Sequence, residues 1–301
     1  MTGGPLLVVG ASGFLGRTLV EACSAASRPA VGLSRAECDI TDAGAVERAI
    51  ARHRPDLVVN AAAFSNVDAA ERDRGGATAA NAEGPAVLAA GTVAAGIPLV
   101  HMSTDYVFDG RKRAPYKEGD PVAPLSHYGR TKAEGEARVR AAQTRHVILR
   151  TAWLFGRNGS GFVSMAIAAA LRGQPIRTIV DQTGSPTAAV DLAGAILAVD
   201  RAIGSGRAPW GTYHYAGREP ARRLDIVEAI LAAVRALQRQ TSSIVPVTAA
   251  DFAAAAVRPD YSALDSSLFE TTFRHPASDW RRRLAELVRE EAAATAEQPI
   301  P

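Results

Sequence analysis

"LLVVGASGFLGRTLV", residues 6–20, carries the decision about the fold. A short, continuous apolar run that stops at a glycine predicts a strand buried on both faces, as a parallel sheet requires. Helical spacing follows over 14–26. Between the two stand Gly10, Gly13 and Gly16 in a G-x-x-G-x-x-G spacing. Strand, glycine turn and helix in that order form a dinucleotide fingerprint. The turn is tight, the backbone approaches a pyrophosphate, and the first N–H groups of the helix face it. The competing reading is a glycine-rich turn that holds nothing. The flanking strand and helix favour a nucleotide cofactor.

The same alternation continues outward. Strands are predicted at 30–34, 56–63, 97–104 and 146–152. Helices are predicted at 41–53 (opened by a Thr or Asp cap), within 77–95 (broken by Gly96) and at 126–141. Strands separated by helices of this length imply right-handed crossovers and a sheet covered on both faces. The fold class is α/β: a doubly wound parallel Rossmann sheet with a smaller α/β substrate-binding lobe. Beyond residue 150 the alternation loosens. Helices are expected near 161–172, 187–203, 222–238 and 280–296, with strands at 176–181, 211–216 and 243–247. The expected division is 1–152 for the cofactor-binding domain and 153–301 for the mainly substrate-binding lobe, with later elements near 176–203 rejoining the sheet.

The 301 residues are 47% hydrophobic, enough for a full core in one large domain or two smaller ones. The charge of +3 arises from 34 basic and 31 acidic residues scattered along the chain, which gives no footprint for nucleic acid. Cys23 and Cys38 have neither metal-ligand nor disulfide-framework spacing, so a reducing, cytoplasmic compartment is expected. The N-terminus lacks a basic region ahead of its short apolar run and does not read as a signal peptide. No apolar run approaches the roughly 20 residues that span a bilayer. No repeat of 20–50 residues stands out, and "EQPIP" (297–301) reads as a frayed tail.

The ligand of a doubly wound sheet lies outside the carboxyl ends of its strands. After strand two the chain reads "GLSRAECDITD", with Arg35 where an NAD binder usually places an acid for the ribose 2′-hydroxyl. An arginine there accommodates the 2′-phosphate of NADP, so NADPH is the expected cofactor, with NADH possible. A solvated Arg35 is the competing reading. Asp39 and Ile40 fall where a loop borders the adenine. "HMSTDYVFDG" (101–110) ends strand four and offers the hydroxyls of Ser103 and Thr104. "HYGRTKAEGE" (127–136) then sets Tyr128 and Lys132 four apart on one helix face. A cation beside a phenol lowers the phenol's pKa, so the pair is expected to be a tuned proton donor. Thr104 and Tyr128 would both hydrogen-bond one carbonyl oxygen, while hydride arrives from a nicotinamide.

The chain resembles the extended short-chain dehydrogenase/reductases and, within them, the dTDP-4-dehydrorhamnose reductase family. "GASGFLG", "DITD", "NAAAFSNVDAAE", "HMSTDYVFDG", "PYKEGDPVAPLSHYGRTKAEGE", "ILRTAWLFG" and "DQTGSPT" carry the resemblance, between residues 10 and 187. It implies Thr104, Tyr128 and Lys132 as the catalytic triplet, with Lys132 also holding the nicotinamide ribose. It implies a cofactor wall of Gly10, Ser12, Gly13, Phe14, Leu15, Gly16, Asp39, Ile40, Ala61, Ala62, Ala63 and Met102. Asp105, Tyr106 and Trp153 would hold the sugar and its diphosphate, and Arg258 would pair with the same diphosphate. His127 is read as structural.

The departures lie late in the chain. "RPDYSALD" (258–265) has Tyr261 where the family usually shows asparagine. After "GTYHYAG" the family tends to open the next helix with an aromatic, and this chain reads "REPARRLDI". Some members dimerise through glutamate-bound magnesium, but Leu15 and Val190 offer no such ligands, so no metal site is expected. The implied partner is a nucleotide sugar, without nucleic acid or membrane, and the chain would be a monomer or homodimer. Three functions fit: NADPH-dependent 4-ketoreduction of dTDP-4-dehydro-L-rhamnose, the same chemistry on another nucleotide deoxysugar, and a non-enzymatic regulatory subunit on the same fold. Intact Thr104, Tyr128 and Lys132 argue against the last.

Overall fold

A computed structural model describes residues 3–207, 209–238, 242–251 and 254–297, so residues 298–301 of the expected frayed tail lie outside the described residues. Its centre is a parallel sheet built from β1 (Leu6–Val9), β2 (Ala30–Leu33), β3 (Leu57–Asn60), β4 (Leu99–Thr104), β5 (His146–Thr151) and a sixth strand, Gly211–His214. The order across the sheet is sixth strand, β5, β4, β3, β1, β2. All five pairings are parallel. The chain starts in the interior of the sheet and reverses direction of travel beside β1, which creates the crevice where such sheets bind ligands.

The helices cover both faces because each buries one apolar stripe. On one face α1 (Phe14–Ala25) and helix Ala189–Gly204 meet through Leu15, Leu19, Leu192 and Ile196. On the other face α2 (Ala43–His53) packs Val46 and Ile50 on the sheet, capped by Asp42, which accepts from the Gly44 N–H at 2.8 Å. Two short helices, α3 (Val67–Arg72) and α4 (Arg74–Thr78), precede the helix expected within 77–95, which is itself a π-helical turn (Ala79–Glu83) running into α5 (Gly84–Ala94). Pro85 in the first turn of α5 and Gly96 at φ +67 bound the last of these. The covering ends with α6 (His127–Ala142), which buries Val139.

The late elements distribute differently from the expectation for 176–203. Ile176–Ile179 pairs with Ile244–Val247, away from the central sheet. Helix Ala189–Gly204 returns to pack on α1, and it is the segment after it, Gly211–His214, that joins β5. A crossover helix must lead into the strand it delivers, so the return to the sheet extends past residue 203. The remaining elements form a second core, in which Phe155, Ile167, Ile230, Trp280 and Leu284 are buried. Among the described residues no helix is long and apolar enough to cross a membrane. Cys23 and Cys38 are buried free thiols.

One late segment stitches this second core to the sheet. Thr183 N–H donates to Asp260 O, Ser262 N–H to Thr183 O, and Asp265 N–H to Tyr116 O, each at 2.8 Å. Tyr261 packs against a buried cluster containing Phe108, Tyr116 and Leu264. The departure "RPDYSALD" thus supplies backbone hydrogen bonds between the two cores, and the ring of Tyr261 fills space beside that cluster.

Candidate active site

The glycine turn is closed by contact with strand three's loop. Gly10 has φ +79, and a Cβ there would come within 2.5 Å of the Ala62 nitrogen. A Cβ on Gly16 would lie 2.3 Å from the Gly10 carbonyl oxygen. Gly13 is the N-cap of α1 and supplies no side-chain hydrogen bond, so the first N–H groups of the helix are left for an anion. The Ala61–Ala63 wall is held from behind. Asn60 Oδ1 accepts from the Ala62 N–H at 3.0 Å, and Asn81 Oδ1 accepts from the Phe64 N–H at 2.8 Å. Asn81 lies in the π-helical turn and also donates to Thr131 Oγ1 on α6 at 3.2 Å.

A cavity of about 410 Å³ lies on the β2 side of this turn and is bordered by Gly10, Ser12, Gly13, Arg35, Asp39, Ile40 and Ala61–Ala63. Arg35 is 83% exposed at its rim, with Nε 3.1 Å from Asp39 Oδ2. The fit to a dinucleotide is good here: an uncapped helix start, a close backbone approach and a cation at the end of β2 share one groove.

A second cavity of about 510 Å³ shares Gly13 and Ala61–Ala63 with the first and runs over the ends of β4 and β5. Phe14, Leu15, Met102, Thr104, Asp105, Tyr106, Tyr128, Lys132 and Trp153 all line it. Gly16 is packed behind the turn, and Arg258 is not in this lining.

α6 reaches this position through its small residues. A Cβ on Gly129 would lie 2.2 Å from the Tyr106 carbonyl oxygen, and one on Gly135 2.1 Å from that of Asn81. Ser126 caps the helix by accepting from the Gly129 N–H at 3.2 Å. His127 turns its ring away from the reaction groups, with Nε2 3.1 Å from the Arg74 carbonyl oxygen, while its backbone N–H donates to Glu71 Oε1 at 2.6 Å.

Tyr128 is half-buried, its hydroxyl hydrogen-bonded to Thr104 and its ring edge-to-face with Tyr106 at 5.8 Å. Thr104 Oγ1 donates to Asp105 Oδ1 at 3.0 Å and accepts from the Tyr106 N–H at 3.2 Å. Asp105 also accepts from Ser262 Oγ at 2.5 Å. Burial pushes the Asp105 carboxyl up to about 6, against the opposing effect of these two hydroxyl donors. Lys132 Nζ donates to the Met102 carbonyl oxygen at 2.6 Å. Burial brings Lys132 down to about 8, while the charge of Glu136 acts to raise it.

The expected lowering of the Tyr128 pKa is not what the structure gives. Burial raises it, and Asp105 and Tyr106 add to the rise. The reason is geometric: the Tyr128 hydroxyl bonds Thr104, and Lys132 Nζ bonds the Met102 carbonyl oxygen, so burial of the free phenol prevails.

Arg258 is held by Asp68 of α3, with Nη2–Oδ2 at 2.6 Å and Nη1–Oδ1 at 3.2 Å, and it lies beside the Tyr106 hydroxyl. The position of Trp153 is unusual, with φ +44 two residues after β5 ends at Thr151, a conformation that costs about 1–3 kcal/mol in a non-glycine residue. Sequence reasoning did not single out Arg223, which lines the main cavity and lies over the Trp153 ring. A signal was present: an arginine in the first turn of a helix opposes the macrodipole and needs another reason to be there.

The sequence matches the family described as RmlD substrate binding domain over residues 4–293. It is 41% identical over 285 residues to a probable dTDP-4,6-dihydroxy-2-methyloxan-3-one 4-ketoreductase of Streptomyces antibioticus, covering 93% of each chain. It is 38% identical to a dTDP-4-dehydrorhamnose reductase of Streptomyces griseus, covering 93% of this chain and 91% of that one. Among solved structures, it resembles a dTDP-4-dehydrorhamnose reductase of Bacillus anthracis in complex with NADP. There the TM-score is 0.88 at 30% identity, over 96% of this chain and 100% of that one.

Proposed function

The chain belongs to the dTDP-4-dehydrorhamnose reductase family, and from that premise we propose that it is an NADPH-dependent reductase of the 4-keto group of a dTDP-deoxysugar, most simply dTDP-4-dehydro-L-rhamnose. One observation carries the reading. A single cavity is lined by Thr104, Tyr128 and Lys132, and it meets the glycine turn at Gly13. When bound, NADPH would be the source of the hydride that the carbonyl carbon receives. Its pyrophosphate is assigned to the start of α1, and its adenosine end to the groove of Arg35, Asp39 and Ile40. Tyr128 gives its hydroxyl proton to the carbonyl oxygen, so hydride and proton together yield the alcohol. Its raised pKa keeps that proton in place at neutral pH. Thr104 is placed by the Tyr106 N–H, and turning its one hydroxyl hydrogen from Asp105 to the carbonyl would orient the same oxygen. Lys132, with a pKa near 8, is mainly protonated at pH 7 and stabilises the charge left on Tyr128.

The proposal divides the chain near residue 152 into a cofactor-binding and a mainly substrate-binding part. It places the enzyme in the cytoplasm, as a monomer or homodimer without nucleic-acid partners. A second reading, reduction of another dTDP-linked keto-deoxysugar, is favoured by the Streptomyces antibioticus relative. NADPH consumption should be measured against a panel of dTDP-, UDP- and GDP-linked 4-ketosugars. Turnover confined to dTDP-linked sugars is expected, and its absence for all of them would sink both readings.

Arg35 provides a test of the cofactor assignment. It lies at the end of β2, largely exposed, and among the described residues its ion pair is with Asp39 at the rim, of the kind worth about 0–1 kcal/mol, so a phosphate can recruit it cheaply. Arg35→Glu should weaken NADPH by about 10–100-fold and NADH far less, since each 1.4 kcal/mol is about tenfold. An unchanged ratio of the two dissociation constants would show that Arg35 stays in solvent.

A further inference from the structure

We propose that Arg223 receives the diphosphate of the nucleotide-sugar substrate and so makes the site selective for phosphorylated over unphosphorylated ligands. The assignment rests on the reductase reading above and adds a binding group to it.

Arg223 lines the same cavity as Thr104, Tyr128 and Lys132. Its guanidinium is held over the rings of Trp153 and Phe162, with Cζ 4.5 and 5.1 Å from their centroids. A stacked guanidinium keeps its edge free for bidentate hydrogen bonds while its faces stay apolar. The support beneath it is fixed. Trp153 is held at positive φ, and a Cβ on Gly184 would come 2.4 Å from its indole, so only glycine leaves room for the ring.

The charge lacks a counter-ion. Among the described residues Arg223 forms no ion pair with a carboxylate, and its one side-chain hydrogen bond is from Nε to Gln182 Oε1 at 3.2 Å. Neighbouring arginines behave otherwise: Arg222 pairs with Asp225 and Arg258 with Asp68, each at 2.6 Å. Asp105 is the acid whose field reaches Arg223, and burial has already pushed that carboxyl up to about 6. Burial also lowers the pKa of Arg223 itself, as for a cation short of negative charge.

Position strengthens the argument. Arg223 is the first residue of a 14-residue helix, Arg223–Ala236, so its charge and the positive end of the helix dipole point to one region. Such a pairing is unfavourable in the free protein and favourable once an anion enters. A diphosphate fits the requirement: it is dianionic, and its oxygens match the planar fork of arginine. The cofactor's own pyrophosphate is assigned to the start of α1 at Gly13, a different helix start from the one that carries Arg223. Arg258 is occupied by Asp68 with both Nη atoms, so it does not fill this role without breaking that pair.

Calorimetric titration of the NADPH-saturated enzyme with dTDP and with thymidine tests the proposal. The wild type should bind dTDP more tightly than thymidine by about tenfold or more, the effect of one charge-assisted contact. Arg223→Met keeps a long apolar side chain on the two rings and removes the charge. It should weaken dTDP by about 10–100-fold while leaving thymidine and NADPH within about twofold. Arg223→Lys, which keeps the charge without the fork, should fall between. If the Met variant loses NADPH affinity as well, the Lys variant decides: dTDP binding equal to wild type overturns the proposal. Met-variant binding of dTDP at wild-type strength with NADPH intact overturns it too. A wild type that does not bind dTDP at all would instead overturn the nucleotide-sugar reading on which the assignment stands.

Discussion

Tyr128→Phe should lower kcat by about 10²–10⁴ while leaving the NADPH dissociation constant unchanged, because a positioned acid contributes on that scale. The substitution removes one hydroxyl and keeps the ring. The edge-to-face contact with Tyr106 at 5.8 Å and the close packing of α6 at Gly129 both survive it. Only the hydrogen bond to Thr104 is lost, a stability cost of about 0.5–1.5 kcal/mol. The pH profile of the wild type adds a second readout. Tyr128 has its pKa raised, so it holds its proton well above neutrality, whereas Lys132 titrates at about 8. Activity should therefore fall as pH rises through about 8, because the cation beside the developing phenolate is lost first. Steady-state kinetics from pH 6 to 10 checks both points. Near-wild-type turnover by the phenylalanine variant would remove Tyr128 from the acid role.

The parts of this site that were legible in the sequence share one property: their geometry is local. The strand before Gly10 shows itself as an apolar run, and the i,i+4 relation of Tyr128 and Lys132 follows from helical spacing alone. The cap at Asp42 and the break at Gly96 are read the same way. What the sequence did not disclose depends on residues far apart in the chain. Asp68 takes Arg258 across 190 positions, and Ser262 reaches Asp105 across 157. No periodicity encodes such pairs. The direction of the Tyr128 pKa was misjudged for a related reason: a helical neighbour is visible in sequence, but desolvation is set by everything packed around the ring. Strand Gly211–His214 was legible as a strand, yet its place beside β5 depends on how helix Ala189–Gly204 returns to α1.

Glu136→Gln should destabilise the fold by about 3–5 kcal/mol, the range for breaking one partner out of a buried ion pair. Glu136 is fully buried, one helical turn beyond Lys132 on α6. Its Oε1 accepts from Arg150 Nε at 2.8 Å and Ser103 Oγ at 2.6 Å, and its Oε2 from Arg150 Nη2 at 2.7 Å and Arg140 Nη1 at 3.1 Å. Four donors converge on two oxygens, so an amide would set its own N–H groups against donors and leave Arg150 charged in the interior. Burial acts to raise the Glu136 pKa, but the Arg150 hydrogen bonds and charge outweigh it and hold the carboxyl below its ordinary value. Its contribution to stability is thus present above the unfolded carboxylate pKa and is lost as pH falls through the lower folded one. The exposed pair Glu134–Arg138 on the same helix is the control: Glu134→Gln should change stability by about 0–1 kcal/mol. Glu136 also reaches the chemistry. Its charge raises the pKa of Lys132, so removing it should move the alkaline limb of kcat to a lower pH than the wild type's, near 8. Urea denaturation of both variants at pH 7 and a pH–rate profile of Glu136→Gln measure the two effects. A loss no larger than the Glu134 control would mean that water or neighbouring carbonyls satisfy Arg150 without Glu136. An unmoved alkaline limb would mean that Lys132 does not feel this carboxylate across one turn of α6.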